Sequence, residues 1–212
     1  MISDLTEDQK KWVERTGFGR LLDFTLELIP ANLAYNVFQI FDPNTVSLNL
    51  NNELIPIMEE DVYEVLGLPC GRESITLGTY DYYRSRIDEW SAQFKTEKES
   101  TQVTVAKLVQ LIKNQGLTQN FKFNFLLVLS NVLIGTPIYS YIDRQMLRLH
   151  GNLDECYRYN WAEFLISYLV SATKSWNENA SSHFRGSAIF LTVRIIIIYI
   201  YQFILFRTSN NY

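Results

Sequence analysis

Residues 121–135, FKFNFLLVLSNVLIG, constrain this chain most. After Lys122 the segment is apolar nearly all round, and a helix without a polar stripe has no face to give to water. It is therefore expected to be the central core helix, enclosed by the rest of the chain. Lipid is the other home for such a helix, but the apolar run is shorter than the about 20 residues that span a bilayer, and its flanks are polar. A chain of 212 residues can supply the enclosing shell. At this length about 70% of the unfolded chain's surface is buried on folding, without disulfide staples.

The shell reads as mostly helical. Thr6 and Gln9 form a capping box, so a helix is expected to about Thr16, where Gly17 and Gly19 interrupt it. RLLDFTLEL (20–28) reads as a second helical stretch ended by Pro30. ANLAYNVFQIF reads as a third, with Leu33, Val37, Ile40 and Phe41 inward. TVAKLVQLIKNQG puts Val105, Leu108, Val109 and Ile112 on one side and ends at Gly116. Pro137 fits the first turn of a helix running to Gly151, and WAEFLISYLVSATKSW clusters Trp161, Phe164, Leu165, Tyr168 and Leu169. The polar run KTEKESTQ after residue 94 reads as an exposed linker.

One region changes period. TVSLNL alternates Val46, Leu48 and Leu50 with Ser47 and Asn49, the pattern of a strand buried on one face. ELIPI reads as its partner, with Asn51-Asn52 in the turn and Pro56 confining the second strand to an edge. Glu59, Glu60 and Asp61 then sit where acids favour a helix start. Gly67 suits a left-handed C-terminal cap, and Pro69 stops the helix. The expected fold is mainly α, a multi-helix globular domain with a two-stranded element near residues 45–58.

The chemistry-bearing residues are few. A four-ligand zinc site would need Cys70, Cys156, His150 and His183 together, and their spacing is not finger-like. Neither cysteine sits in a nucleophile motif, and buried, inert thiols are the plainer reading. Two distant cysteines also argue against a disulfide framework, and point to free thiols in a reducing compartment. The N-terminus lacks the charged and apolar regions of a secretory signal peptide, so the sequon at Asn179 has no secreted context. The glycines at 17 and 19 lack the third glycine and preceding strand of a dinucleotide fingerprint, and no phosphate-cradling loop occurs. The acidic triplet Glu59-Glu60-Asp61 is read as a solvated first turn rather than a metal site. No catalytic residue, cofactor or metal ligand is assigned, and the chain is expected not to be an enzyme.

Tyr80, Tyr82, Tyr83, Arg84 and Arg86 form a compact aromatic and basic cluster able to stack on bases. Asp81, Asp88 and Glu89 dilute it, and the net charge of −4 argues against a general nucleic-acid surface. A helical face packed on a neighbour explains the cluster as well. If the domain binds a protein partner, this cluster and the loop of Gly67, Leu68, Pro69 and Gly71 are the expected contact surfaces.

Two blocks carry a family resemblance: TVSLNLNNELIPIMEEDVYEVLGLPCG, and NFLLVLSNVLIGTP followed by YNWAEFLISYLVSATKSW and FRGSAIFL. Together they resemble the plant mobile domain, also labelled aminotransferase-like, over most of residues 15–192. The acidic turn and helix ending in Gly67-Leu68-Pro69 and then Gly71 carry most of it, supported by Asn160-Trp161 and Phe184-Arg185-Gly186. The resemblance implies a non-enzymatic helical interaction module of transposon-derived type. It further implies a nuclear location, a link to transposon silencing or development, and in some cases a phosphatase-like partner. It also leaves room for a remnant of a Ulp1-type cysteine protease that has lost its catalytic module.

After a domain over 1–192 comes the tail 193–212, opening with VRIIIIYIYQFILF. Three readings are open. With 188–192 it is long enough for a single-pass membrane anchor over 188–206, with Arg194 near one end. Its β-branched run has the propensity of a buried strand. The favoured reading is translated intron, since Val193-Arg194 can be written GTAAGA, like a plant donor splice site, and the tail's codons are AT-rich. Such a tail would leave core surface uncovered and an aggregation-prone run exposed.

Overall fold

The computed structural model describes residues 4–24, 31–136, 140–178 and 184–209. The fold is mainly α with a small antiparallel sheet. Its helices are α1 (Glu7–Val13), α2 (Ala31–Gln39), α3 (Glu59–Leu66), α4 (Arg84–Ser91), α5 (Glu97–Thr101), α6 (Val105–Asn114), α7 (Gln119–Leu129), α8 (Trp161–Glu178) and α9 (Ala188–Ser209). Helix α7 occupies the centre: Phe121, Phe123, Phe125, Leu126, Leu127, Val128 and Leu129 are all buried on its different sides. Trp12 from α1 meets Phe121 and Phe125 edge-on at 5.6 Å, and Phe18 packs on Phe125 and Trp161.

One polar cluster sits inside this shell. The α7 residue Asn124, fully buried, accepts from Trp90 Nε1 at 2.8 Å and donates to Gln93 and Gln115, each at 3.0 Å. Gln9 of α1 reaches the Gln115 carbonyl at 2.7 Å. Each amide finds a partner, which is the condition for burying such groups without a large penalty. The cluster fixes α1, α4 and the end of α6 in register around α7.

Local chemistry explains the element boundaries. The Thr6–Gln9 capping box forms as read, and Gly17 breaks the first helix with φ +90°. The helical stretch expected over 20–28 is a short 3-10 turn, Gly19–Asp23; its remainder from Thr25 on lies outside the described residues. Likewise the inward reading of Leu33 falls outside the described side chains. The sheet has three strands rather than two, β1 (Phe41–Asp42), β2 (Ser47–Leu50) and β3 (Glu53–Pro56), ordered β1-β2-β3. Phe41, read as the end of a helix, is a strand residue opposite Leu48, because Asp42 accepts from Asn44 N and Thr45 Oγ1 and turns the chain back. Asn51 and Asn52 both adopt positive φ, the turn that joins twisted strands through two residues. Pro56 lies on the edge strand, where its missing N–H costs no ladder bond.

Two other expectations change. The supposed linker after residue 94 contains α5: Thr96 accepts from Glu99 N, Glu99 accepts from Lys95 N, and Ser100 is buried. Among the described residues of the 137–151 stretch there is no α-helix. Residues 137–139 lie outside the described ones, and beyond them the backbone groups are spent on distant partners. Asn131 binds both the N–H and the C=O of Asp143, and Ile142 N donates to Val103 O, leaving only a 3-10 turn at Gln145–Arg148.

The isoleucine run is helical, not a strand. Helix α9 passes without a break through the boundary read at 192–193, and Phe190, Leu191, Ile195 and Ile198 are buried on the domain core beside α2 and α3. Arg194 pairs with Asp61 at 2.6 Å, both side chains mostly enclosed. Among the described residues, no helix is long and apolar enough to cross a membrane. Ile196, Tyr199, Ile200 and Tyr201 remain exposed on the outer side of α9.

Candidate functional site

The loop after α3 is an architectural seam. Gly67 closes the helix with φ +68°, as its left-handed cap requires. Leu68 is fully buried, and the Pro69 carbonyl accepts from Trp161 N at 2.9 Å. Gly71 N donates to Tyr159 O, and Glu73 N to Arg158 O, so the strand-like segment 70–73 lies against 158–160. Asn160 caps α8 through Glu163 N and donates to Glu59 at 2.7 Å, while Trp161 Nε1 donates to Cys156 O. The backbone faces of Gly67, Leu68, Pro69 and Gly71 are thus largely occupied by the chain itself. A cavity of about 260 Å³ beside Gly67 is lined by Arg20, Asp23 and Glu64, with mixed charge.

Two of the acidic triplet are likewise engaged: Glu59 holds Asn160, and Asp61 accepts from Met58 N and pairs with Arg194, while Glu60 is exposed. Phe184 stacks on Phe38 at 3.7 Å, and Ser187, bonded to Leu133 O, caps α9 at Phe190 N.

The two thiols are free and sit in different surroundings. Cys156 is buried, and desolvation, aided by Asp154, pushes its thiol up to about 12. Cys70 is exposed at the surface, yet partial burial and the neighbouring Glu59 also push it up. His150 Nδ1 shares a 2.8 Å hydrogen bond with the Tyr83 hydroxyl, and His183 lies outside the described residues, as does the sequon at Asn179. Asp154 joins α1 to α7 by accepting from Trp12 Nε1 at 2.6 Å and Lys122 at 2.7 Å. Desolvation alone would raise its carboxyl, but these bonds outweigh it and hold it below the usual range.

The aromatic and basic cluster divides into a buried half and an open half. Tyr83 is buried, and Arg86 lies over its ring at 4.4 Å and over Phe123 at 5.3 Å. Arg86 also donates to Leu149 O at 2.7 Å, so it ties α4 to the segment after the Gln145–Arg148 turn. Tyr80 and Tyr82 are 51% and 72% exposed, large fractions for tyrosines held on so rigid a base. Arg84 is exposed as well.

Beside Tyr80 an open groove of about 210 Å³ runs between α4 and the 3-10 turn. Ile87 and Leu147, both buried, form its floor, and Asp143, Arg144, Gln145 and Arg148 its rim. Among the described residues the Arg144 and Arg148 side chains make no hydrogen bond and no ion pair. Asp143 is partly satisfied by Gln145 N at 2.9 Å. Sequence reading found Tyr80 but missed Arg144 and Arg148, which a sequence distance of some sixty residues hid. Among the described residues no group of three or more His, Cys, Asp and Glu side chains is placed to hold a metal ion.

Fold and site define a mainly helical domain with a small antiparallel sheet and a cationic groove floored by apolar side chains. The chain belongs to the family described as a domain of unknown function, DUF8566, whose model matches residues 1–192. No curated protein and no solved structure matches it. This overturns the resemblance to the plant mobile domain, since the matching family is another one. The blocks behind that resemblance are real elements, but a hairpin turn, an acidic helix start and a glycine cap are local chemistry shared by many folds. The transposon, nuclear and phosphatase-like-partner expectations lose the resemblance they rested on.

Proposed function

We propose that this domain is a non-enzymatic interaction module that docks a protein partner across the groove between Tyr80 and Arg148. The observation that carries the reading is the groove itself: two arginines unpaired among the described residues and an exposed tyrosine around an apolar floor, on a base fixed by Arg86 and by Tyr83–His150. Aromatic residues and arginine are enriched where proteins meet, because they bring large contact area and charge together. The volume of about 210 Å³ falls below the roughly 300–1,000 Å³ of small-molecule sites. It suits one side chain of a larger partner. Two residues with chemical potential elsewhere are taken up by the fold, Cys156 by burial and His150 by its bond to Tyr83.

Photo-crosslinking tests this reading. A benzophenone amino acid at position 80 or 82 should yield one and the same identified partner, and the adduct should disappear when Arg144→Glu is added. The same probe at Lys107, exposed on α6, serves as the control. Adducts that are identical at Lys107, or absent from all three positions, count against the proposal.

A further inference from the structure

We infer that the groove recognises a carboxylate-bearing peptide in which an apolar side chain is flanked by Asp or Glu; this rests on the interaction-module reading above. Charge complementarity carries it. The rim holds two guanidinium groups against one carboxylate, so it is cationic on a chain whose net charge is −4. Other partly enclosed cations among the described residues have partners: Lys122 pairs with Asp154, Arg194 pairs with Asp61, and Arg86 donates to the Leu149 carbonyl. Arg144 and Arg148 are half-buried yet unmatched among the described residues. A guanidinium fork pairs best with a planar carboxylate, which it can hold through two parallel bonds.

The floor specifies the rest of the ligand. Ile87 and Leu147 offer no polar group, so an aliphatic or aromatic side chain is what gains by entering. In an extended peptide, residues i−2, i and i+2 share one face. An apolar residue with acids at those flanking positions therefore presents its anchor and both charges together, with the ring of Tyr80 as one wall. Nucleic acid fits less well. Strand binding needs a basic track along several phosphates and repeated stacking platforms, whereas here Asp81, Asp88 and Glu89 stand among the residues that would form the track, all exposed.

Fluorescence anisotropy on the full chain tests the inference. The probes are labelled peptides carrying Leu, Ile, Phe or Tyr between alternating Asp and Glu, the same peptides with Asn at the anchor, and a labelled oligothymidine. Saturable binding of an acidic, apolar-anchored peptide is expected. It should fall about tenfold in Arg144→Ala/Arg148→Ala and weaken as salt rises from about 0.05 M to 0.5 M. The Asn-anchored peptides should bind more weakly still. Circular dichroism and thermal melting of the double variant should match the parent, because among the described residues neither side chain has a hydrogen-bond or ion-pair partner to lose.

Binding unaffected by the double substitution overturns the inference, as does oligothymidine binding more tightly than every peptide. If all acidic peptides fail while crosslinking at 80 and 82 still identifies one partner, the module stands and the acidic class falls. If both fail, the module falls with it.

Discussion

Replacing Gly71 by alanine would put a methyl carbon inside the carbonyl of Arg158 and 2.6 Å from Tyr159 N. Optimal carbon contacts lie at about 3.5–4.0 Å, and the atoms in the way are backbone, which cannot swing aside as a side chain would. The segment must then separate from 158–160. Overpacking of this kind costs about 1–3 kcal/mol, and the Gly71–Tyr159 and Glu73–Arg158 bonds are the first to stretch, each worth about 0.5–1.5 kcal/mol. We expect a loss of about 3 kcal/mol, or about 6–12 °C in melting temperature for a chain of this size. Gly116→Ala is the matched control: a Cβ there meets nothing within 4 Å, so it should be neutral or slightly stabilising. Urea titration and thermal melting by circular dichroism read both. If Gly71→Ala melts within about 2 °C of the parent, the segment is a pliable loop and not the seam described above.

Asp61→Ala should cost about 3 kcal/mol, since it strands the Arg194 charge in a mostly enclosed place. Asp61→Leu/Arg194→Met should recover most of that but not the bond from Met58 N, and equal stability of single and double variants would contradict the pairing. The folded state holds the Cys156 proton up to about 12, whereas an unfolded thiol releases it near about 8.5. The unfolded state thus binds fewer protons above about pH 8.5, so stability should fall with rising pH from there towards about 12, by up to about 1.4 kcal/mol per pH unit. Cys156→Val should flatten that slope, and an unchanged slope would refute the assignment. In native protein, iodoacetamide should modify Cys70 and spare Cys156 until denaturant is added, as mass spectrometry of the peptides would read.

What the sequence made legible was local. The Thr6–Gln9 box, the Asn51-Asn52 turn, the Gly67 cap and the all-round apolar α7 each depend on residues a few positions apart, and each forms as read. Thr96 and Glu99 carried the same capping signal for α5, but it was lost in a polar, charged run. Long-range pairing was not legible. Nothing near Pro137 announces that Asn131 will take both backbone groups of Asp143, and that bond pair decides against a long helix there. The isoleucine run was open to a membrane anchor, a buried strand and translated intron. That it folds as a helix with Ile195 and Ile198 on the core depends on partners such as Asp61, far away in sequence. The groove was half visible for the same reason: Tyr80 stood out beside its neighbours, while Arg144 and Arg148 joined it only through the fold.

A charge exchange tests the groove most directly. With Arg144→Glu/Arg148→Glu in the full chain, isothermal titration should show the acidic, leucine-anchored peptide losing its binding. The matching peptide with lysines in place of its acids should gain binding that it lacks towards the parent. A lysine peptide that binds neither protein, beside an acidic peptide that binds both alike, would show that these two arginines do not select the partner.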